Sequence, residues 1–333
     1  MLIGFKRLLK DEQGVGAALG AICLMATLGI TALALDIGHL VAAKEELQRA
    51  ADAGALAGAR GLWPLKIKDY ETVNPRVVPD CTLGYNAALS TTISANNEVN
   101  GEALTGNNLN IEVGHYNFAT HIFTAQPGCA ANSNAVRVRA QRDINNVFFA
   151  QIWNITSLRP AASSTAVMGF AKGVGKGTLP IAINKDFVVP GTDLYINFNP
   201  DPNDNAGWFA DPPDRANAAT FRDYINNASC PPLNIGDIIN LQNGQDTSAL
   251  EALRTKLEED YPNGWDTYLP VVDTDKFNQS QPIMGFVPFR ILEVRNGSDK
   301  GVFGKVLGLA QSSTGMPGSE QNYGVLAPVK AVN

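Results

Sequence analysis

The sequence predicts an α+β protein, in which an N-terminal membrane-spanning and stalk helix is followed by a mainly β domain with a few short helices. Three observations carry this. Residues 15–35 contain no charged side chain. No proline interrupts the chain from there until Pro64, and good helix formers continue to about Arg60. From Leu109 onward apolar residues alternate with polar ones, between turns rich in Asn and Gly. The expected organisation is residues 1–60 as tail, span and stalk, 61–178 as a β-rich module, and 179–333 as a mixed β-rich extension with loops and short helices.

An apolar run of about 20 residues matches a hydrocarbon core roughly 30 Å thick at 1.5 Å rise per residue. Lys6, Arg7 and Lys10 precede the run, whereas Asp36, Ile37, Gly38 and His39 follow it. Basic flanks stay in the cytoplasm, so the expected orientation places everything beyond Asp36 outside the inner membrane. Ala32-Leu33-Ala34 offers a signal-peptidase site, but the run exceeds the 7–15 or so apolar residues of a signal peptide. Small residues line the helix: Gly16 and Gly20 form a G-x-x-x-G pair in the span, and Ala50, Gly54 and Gly58 stack at i, i+4, i+8 in the stalk. Such ridges let helix backbones approach closely, and self-association through the N-terminal helix is expected from them.

Beyond the stalk, residues 66–79 read as a Pro-bounded connector and 82–93 as a short helix. Leu109, Ile111 and Val113 alternate toward a turn at Tyr116-Asn117, and Ile122-Phe123-Thr124 returns as a second strand. In the next strand Val136, Val138 and Ala140 face inward while Arg137, Arg139 and Gln141 face outward. Residues 171–178 read as a flexible linker and 190–214 as a long polar loop. Residues 218–226 and 247–260 are helix candidates, the latter with a Ser248-x-x-Glu251 capping box and a Leu250, Leu253, Leu257 stripe. Residues 283–294 and 302–309 read as paired strands, with Pro288 marking an edge or bulge.

The net charge of -6 argues against a nucleic-acid partner. Of four cysteines, Cys23 falls in the span, which leaves Cys81, Cys129 and Cys230 in an oxidising compartment where one pair can bridge. Cys81 with Cys129 is the preferred pair because both fall in the same β-rich module, although spacing alone leaves the other pairings open.

Two blocks carry a family resemblance. The first comprises Asp11-Glu12-Gln13-Gly14, Leu35-Asp36-Ile37-Gly38 and the run Leu47-Gln48-Arg49-Ala50-Ala51-Asp52-Ala53-Gly54-Ala55-Leu56-Ala57. The second comprises Val113-Gly114-His115-Tyr116, Asn134-Ala135-Val136-Arg137-Val138, Phe148-Phe149-Ala150 and Ser163-Ser164-Thr165-Ala166-Val167. Both resemble TadG-like proteins of the Tad apparatus, which assembles Flp pili. The resemblance implies a single-span inner-membrane protein with a periplasmic β domain and a scaffolding role. Its implied partners are membrane lipid and other Tad pilus-assembly proteins, namely pseudopilins and the membrane platform. The residue five places beyond Gly14 is Leu19 where a processed pilin has Glu, so cleavage and incorporation as a subunit are not implied.

Catalytic patterns do not emerge. H-E-x-x-H, G-x-S-x-G and the full P-loop spacing are absent, and Gly173-Val174-Gly175-Lys176-Gly177-Thr178 lacks the spacing of a phosphate cradle. The expectation is a protein that is not an enzyme and carries no cofactor. Asp201, Asn203 and Asn205 place oxygen ligands at alternate positions, as in the start of a calcium loop, but Ala206 and Pro212 stand where an EF-hand has Gly and Glu. His115 and His121, six residues apart around a hairpin, could share a metal if the strands paired them, but nothing supplies further ligands and they read as solvent-facing strand residues. The second expectation, from a different class, is a secreted or surface-attached ligand-binding protein with calcium dependence as one form of it.

Overall fold

The computed structural model describes residues 12–63, 78–94, 97–145, 147–199, 205–319, 321 and 323–332. Helix α1, Glu12–Gly61, is a continuous 50-residue rod, about 75 Å long at 1.5 Å per residue. Its first half stands clear of the rest of the molecule, with side chains from Gly16 to Leu35 almost all exposed. Its second half is built into the protein, where Ala43, Leu47, Ala50, Ala51, Ala55 and Ala59 are buried.

Helix α2, Cys81–Thr92, begins at Asp80, whose carboxylate accepts the Leu83 N–H at 2.9 Å and satisfies a donor of the first turn. It runs antiparallel to α1, since Gly54 faces Thr92 and Ala88 while Gly61 faces Ala87 and Leu83. Both helices cover one face of an antiparallel sheet. Its members are β1 (Leu109–Asn117), β2 (Ile122–Ala125), β3 (Ala135–Gln141), β4 (Ala161–Val167) and the C-terminal strand Lys330–Val332. The order is C-terminal strand, β4, β3, β1, β2. Period-two alternation sends Val136, Val138 and Ala140 of β3 into the core beneath α1. On the other face Arg137 donates to Thr165 Oγ1 at 3.1 Å and its guanidinium lies 4.2 Å from the Phe123 ring centre. The strand β1 runs through Tyr116-Asn117, so the turn falls at residues 118–121.

The second sheet has eight strands. They are β5 (Ile181–Asn184), β6 (Asp193–Ile196), β7 (Ala206–Ala210), β8 (Ile238–Gln242), β9 (Trp265–Val272), β10 (Gln281–Pro282), β11 (Gly285–Arg295) and β12 (Gly301–Val306). The order is β6-β12-β11-β9-β5-β7-β8-β10, antiparallel throughout except for β9 beside β5. Helices α3 (Ala218–Asn227) and α4 (Thr247–Asp260) cover one face. Under them Phe198, Trp208 and Phe221 stack with centroids 4.3 and 5.3 Å apart. Phe209, Val272, Phe277 and Phe286 are buried on the opposite face.

Four expectations are corrected. Residues 190–214 are not one long loop, because β6 and β7 both lie within them. Strand β7 is buried along its whole length, so its Ala206-Gly207-Trp208-Phe209-Ala210 run shows no alternation to betray it. Residues 171–178 are not a flexible linker: Gly173–Val174 pairs with Leu233–Asn234, and Phe170–Ala171 pairs with Pro317–Ser319 and Val325–Leu326. Pro288 is neither at an edge nor in a bulge. It lies inside β11, opposite Tyr268 of β9, one residue before pairing with β12 begins at Phe289, so its missing N–H leaves no gap in that ladder. The irregularity falls instead between Ile291 and Glu293. Finally, α4 is capped by Asp246, which accepts from Ser248 N and Ala249 N, while Glu251 turns to Arg254 and Asn296 and forms no capping box.

The C-terminal strand pairs with β4, so the chain ends in the sheet where the first module began.

Candidate functional site: the anchor helix and its seat

The feature that a membrane component would use is the passage from a bare apolar helix into a packed stalk. Above Asp36 the helix presents Leu19, Ile22, Leu24, Met25, Leu28 and Ile30, each more than half exposed. Gly16 and Gly20 have nothing within 4 Å of a built Cβ, so the G-x-x-x-G face is open.

The stalk is different. A Cβ on Gly54 would overlap Thr92 Oγ1 and lie 3.2 Å from the Ala88 carbonyl, and one on Gly58 would lie 2.8 Å from Val136 Cγ1 and 2.9 Å from Ala88 Cβ. The close packing expected at Ala50, Gly54 and Gly58 is therefore met within the chain, by α2 and β3. A second copy has no access to that face, because the small residues let α1 sink onto its own domain. The lower end is pinned by Trp63, whose indole N–H donates to the Met168 carbonyl at 2.9 Å while its ring meets Phe170 edge-on. Cys81, the first residue of α2, is disulfide-bonded to Cys129, with Cα atoms 5.6 Å apart. That bridge ties α2 to the turn between β2 and β3.

The upper end of the seat is a clasp that the sequence reading did not single out. Asp36, one residue beyond the apolar run, is 5% exposed. Its two carboxylate oxygens accept the N–H groups of Phe148, Phe149 and Ala150 at 2.6, 2.8 and 3.0 Å. These donors open a short 3-10 turn, Ala150–Trp153, so a negative charge caps its N-terminus. Burial opposes ionisation, but the three backbone donors, with His39 nearby, outweigh it and hold the carboxyl below its ordinary range. The available signal was the pairing of an acidic residue at the end of the span with a Phe-Phe-Ala run that itself lacks charge.

Other expected positions fall elsewhere. Asp201 and Asn203 lie outside the described residues. Asn205 precedes β7, where its side-chain amide donates to the Tyr195 carbonyl at 2.6 Å. His115 bonds the Asn132 carbonyl at 2.8 Å and His121 lies 3.1 Å from the Tyr116 hydroxyl, so each imidazole has its own local partner. Cys23 is exposed on the apolar run, and Cys230 is buried.

Residues 14–61 match the family model of TadE/G-like Flp pilus-assembly proteins, and residues 77–166 match that of Tad-like Flp pilus-assembly proteins. Over these two stretches the chain is similar to TadG-like Flp pilus-assembly proteins. No curated protein and no solved structure matches it. The first matched segment is α1, and the second runs from α2 into β4, so the two Tad segments are the two halves of one packed unit. The eight-stranded sheet lies beyond both.

Proposed function

We propose that this TadG-like chain is a membrane-anchored scaffolding component of Flp pilus assembly, with residues 15–35 in the inner membrane, the N-terminal tail cytoplasmic and both β-rich modules in the periplasm. The observation that carries the reading is the continuity of α1, because one unbroken helix is at once an exposed apolar span and the buried centre of the first module. A hinge at the membrane surface would let the domain tumble. A seated helix holds the first module in one fixed relation to the apolar run. The basic Lys6, Arg7 and Lys10 ahead of the span support the orientation, and a disulfide in the first module suits an oxidising compartment. The work assigned is positional, not catalytic: the second sheet is held out as a surface for other Tad proteins, pseudopilins and the membrane platform among them.

The test is co-purification of the detergent-solubilised protein after crosslinking in cells that assemble Flp pili, together with protease treatment of spheroplasts. The proposal expects Tad components in the crosslinked fraction and digestion of the β modules from the periplasmic side. Recovery without any Tad component, or protection of the β modules, refutes it.

A further inference from the structure

The residues held by Asp36 belong to a loop whose composition and placement the anchor does not explain. Between Asp143 and Arg159 the chain carries no charged side chain. The loop is closed at its base by reciprocal backbone bonds between Ile144 and Leu158, at 2.8 and 3.0 Å, and by the Asp143–Arg159 ion pair. At its tip Phe148, Ile152, Trp153 and Ile155 are 53, 70, 62 and 45% exposed. A water-facing loop would not gather four large apolar side chains at its tip.

Placement supplies the occupant. A Cβ on Gly29 would lie 3.7 Å from the Phe149 ring, and Gly29 sits seven residues before Asp36, about 10 Å down the helix axis. Trp153 meets Phe149 edge-on with centroids 4.8 Å apart. The loop therefore folds back along the apolar helix, while its charged base stays on the side of the β modules. A bilayer that covers residues 15–35 must reach the tip as well. An indole with one polar edge and an apolar body suits the boundary between headgroups and acyl chains.

We propose that the tip of this loop is a second membrane contact, immersed in the interfacial layer of the leaflet next to the β modules, with the Asp36 clasp setting its depth. This rests on the reading of residues 15–35 as a bilayer span. Two contacts on one face of the helix would fix the tilt and rotation of the domain relative to the membrane plane, which a single helix leaves free.

The test uses the full chain in vesicles of phosphatidylcholine and phosphatidylglycerol, with and without phosphatidylcholine brominated near the top of its acyl chains. Trp63, Trp208 and Trp265 are no more than 9% exposed, so only Trp153 is open to a lipid quencher. Brominated lipid is expected to reduce the wild-type emission, and W153F to lose that quenching while floating with the vesicles as before. Ile152→Glu should weaken the quenching and raise that by aqueous acrylamide. Flotation and carbonate resistance report separately on the span. If the protein floats and resists carbonate yet brominated lipid leaves its emission unchanged, the loop faces water or protein, and this inference is overturned while the anchor stands. If it does not float, both readings fall.

Discussion

Replacing Gly54 by alanine should separate a stalk packed on its own domain from one kept free for a partner. The new Cβ overlaps Thr92 Oγ1 and lies 3.2 Å from the Ala88 carbonyl and 3.3 Å from Thr92 Cβ. Thr92 is fully buried, and its hydroxyl donates to Ala88 at 2.7 Å, so it has no solvent to swing into. Overpacking costs about 1–3 kcal/mol and losing the hydroxyl bond about 1, against a gain of about 1 for Gly→Ala in a helix. The net is a loss of about 1–3 kcal/mol, local to the contact between α1 and α2. Gly38→Ala is the control, since nothing lies within 4 Å of a Cβ there; it should be neutral or stabilise by up to about 1 kcal/mol. A chain of two sheets need not unfold in one step, so the measurement is amide exchange of α2 by mass spectrometry in detergent. G54A should speed exchange in α2 by roughly 5- to 150-fold. Adding Thr92→Ala removes the overlapping oxygen, and the double variant should exchange more slowly than the two single effects combined, with a coupling of about 1 kcal/mol or more. If G54A matches G38A, or if Thr92→Ala brings no relief, the stalk does not pack as described.

Reducing the Cys81–Cys129 bridge, which spans 48 residues of sequence, should cost the first module about 4 kcal/mol in the chain-entropy picture; chemical unfolding with and without reductant measures it, and equal midpoints would count against the bridge. Cys230 should stay unmodified by a water-soluble maleimide in the native protein, because burial, with Asp211 and Asp214 nearby, pushes its thiol well above the ordinary range; rapid native labelling would contradict this. Asp36→Ala should raise exchange at the Phe148, Phe149 and Ala150 amides while leaving α2 protected. Because the Asp36 carboxyl is held below its unfolded value of about 3.8, the clasp should be fully formed above that pH and lost only as pH falls through the lower folded value. Opening of the loop already at pH 5 would show that the charge does not hold it.

What the sequence determined by itself was local or periodic. The bare apolar run at residues 15–35, the short helix near residues 82–93, the alternation of Val136, Val138 and Ala140, and the Leu250, Leu253, Leu257 stripe of α4 each follow from the order of neighbouring residues. The Tad segments were legible for the same reason, since they lie in unbroken stretches. The tertiary structure alone decided what each surface meets. Ala50, Gly54 and Gly58 read the same in sequence whether the helix beside them belongs to this chain or another, and only the fold brings Thr92, Ala88 and Val136 against them. Strand β7 is covered on both faces, which erases the alternation that marks a half-buried strand. Asp36 and Phe148 stand 112 positions apart, and a contact across that distance leaves no periodic trace. Such contacts depend on the loop closing onto a helix already seated in its sheet, which is a property of the packed chain and of no single stretch of it.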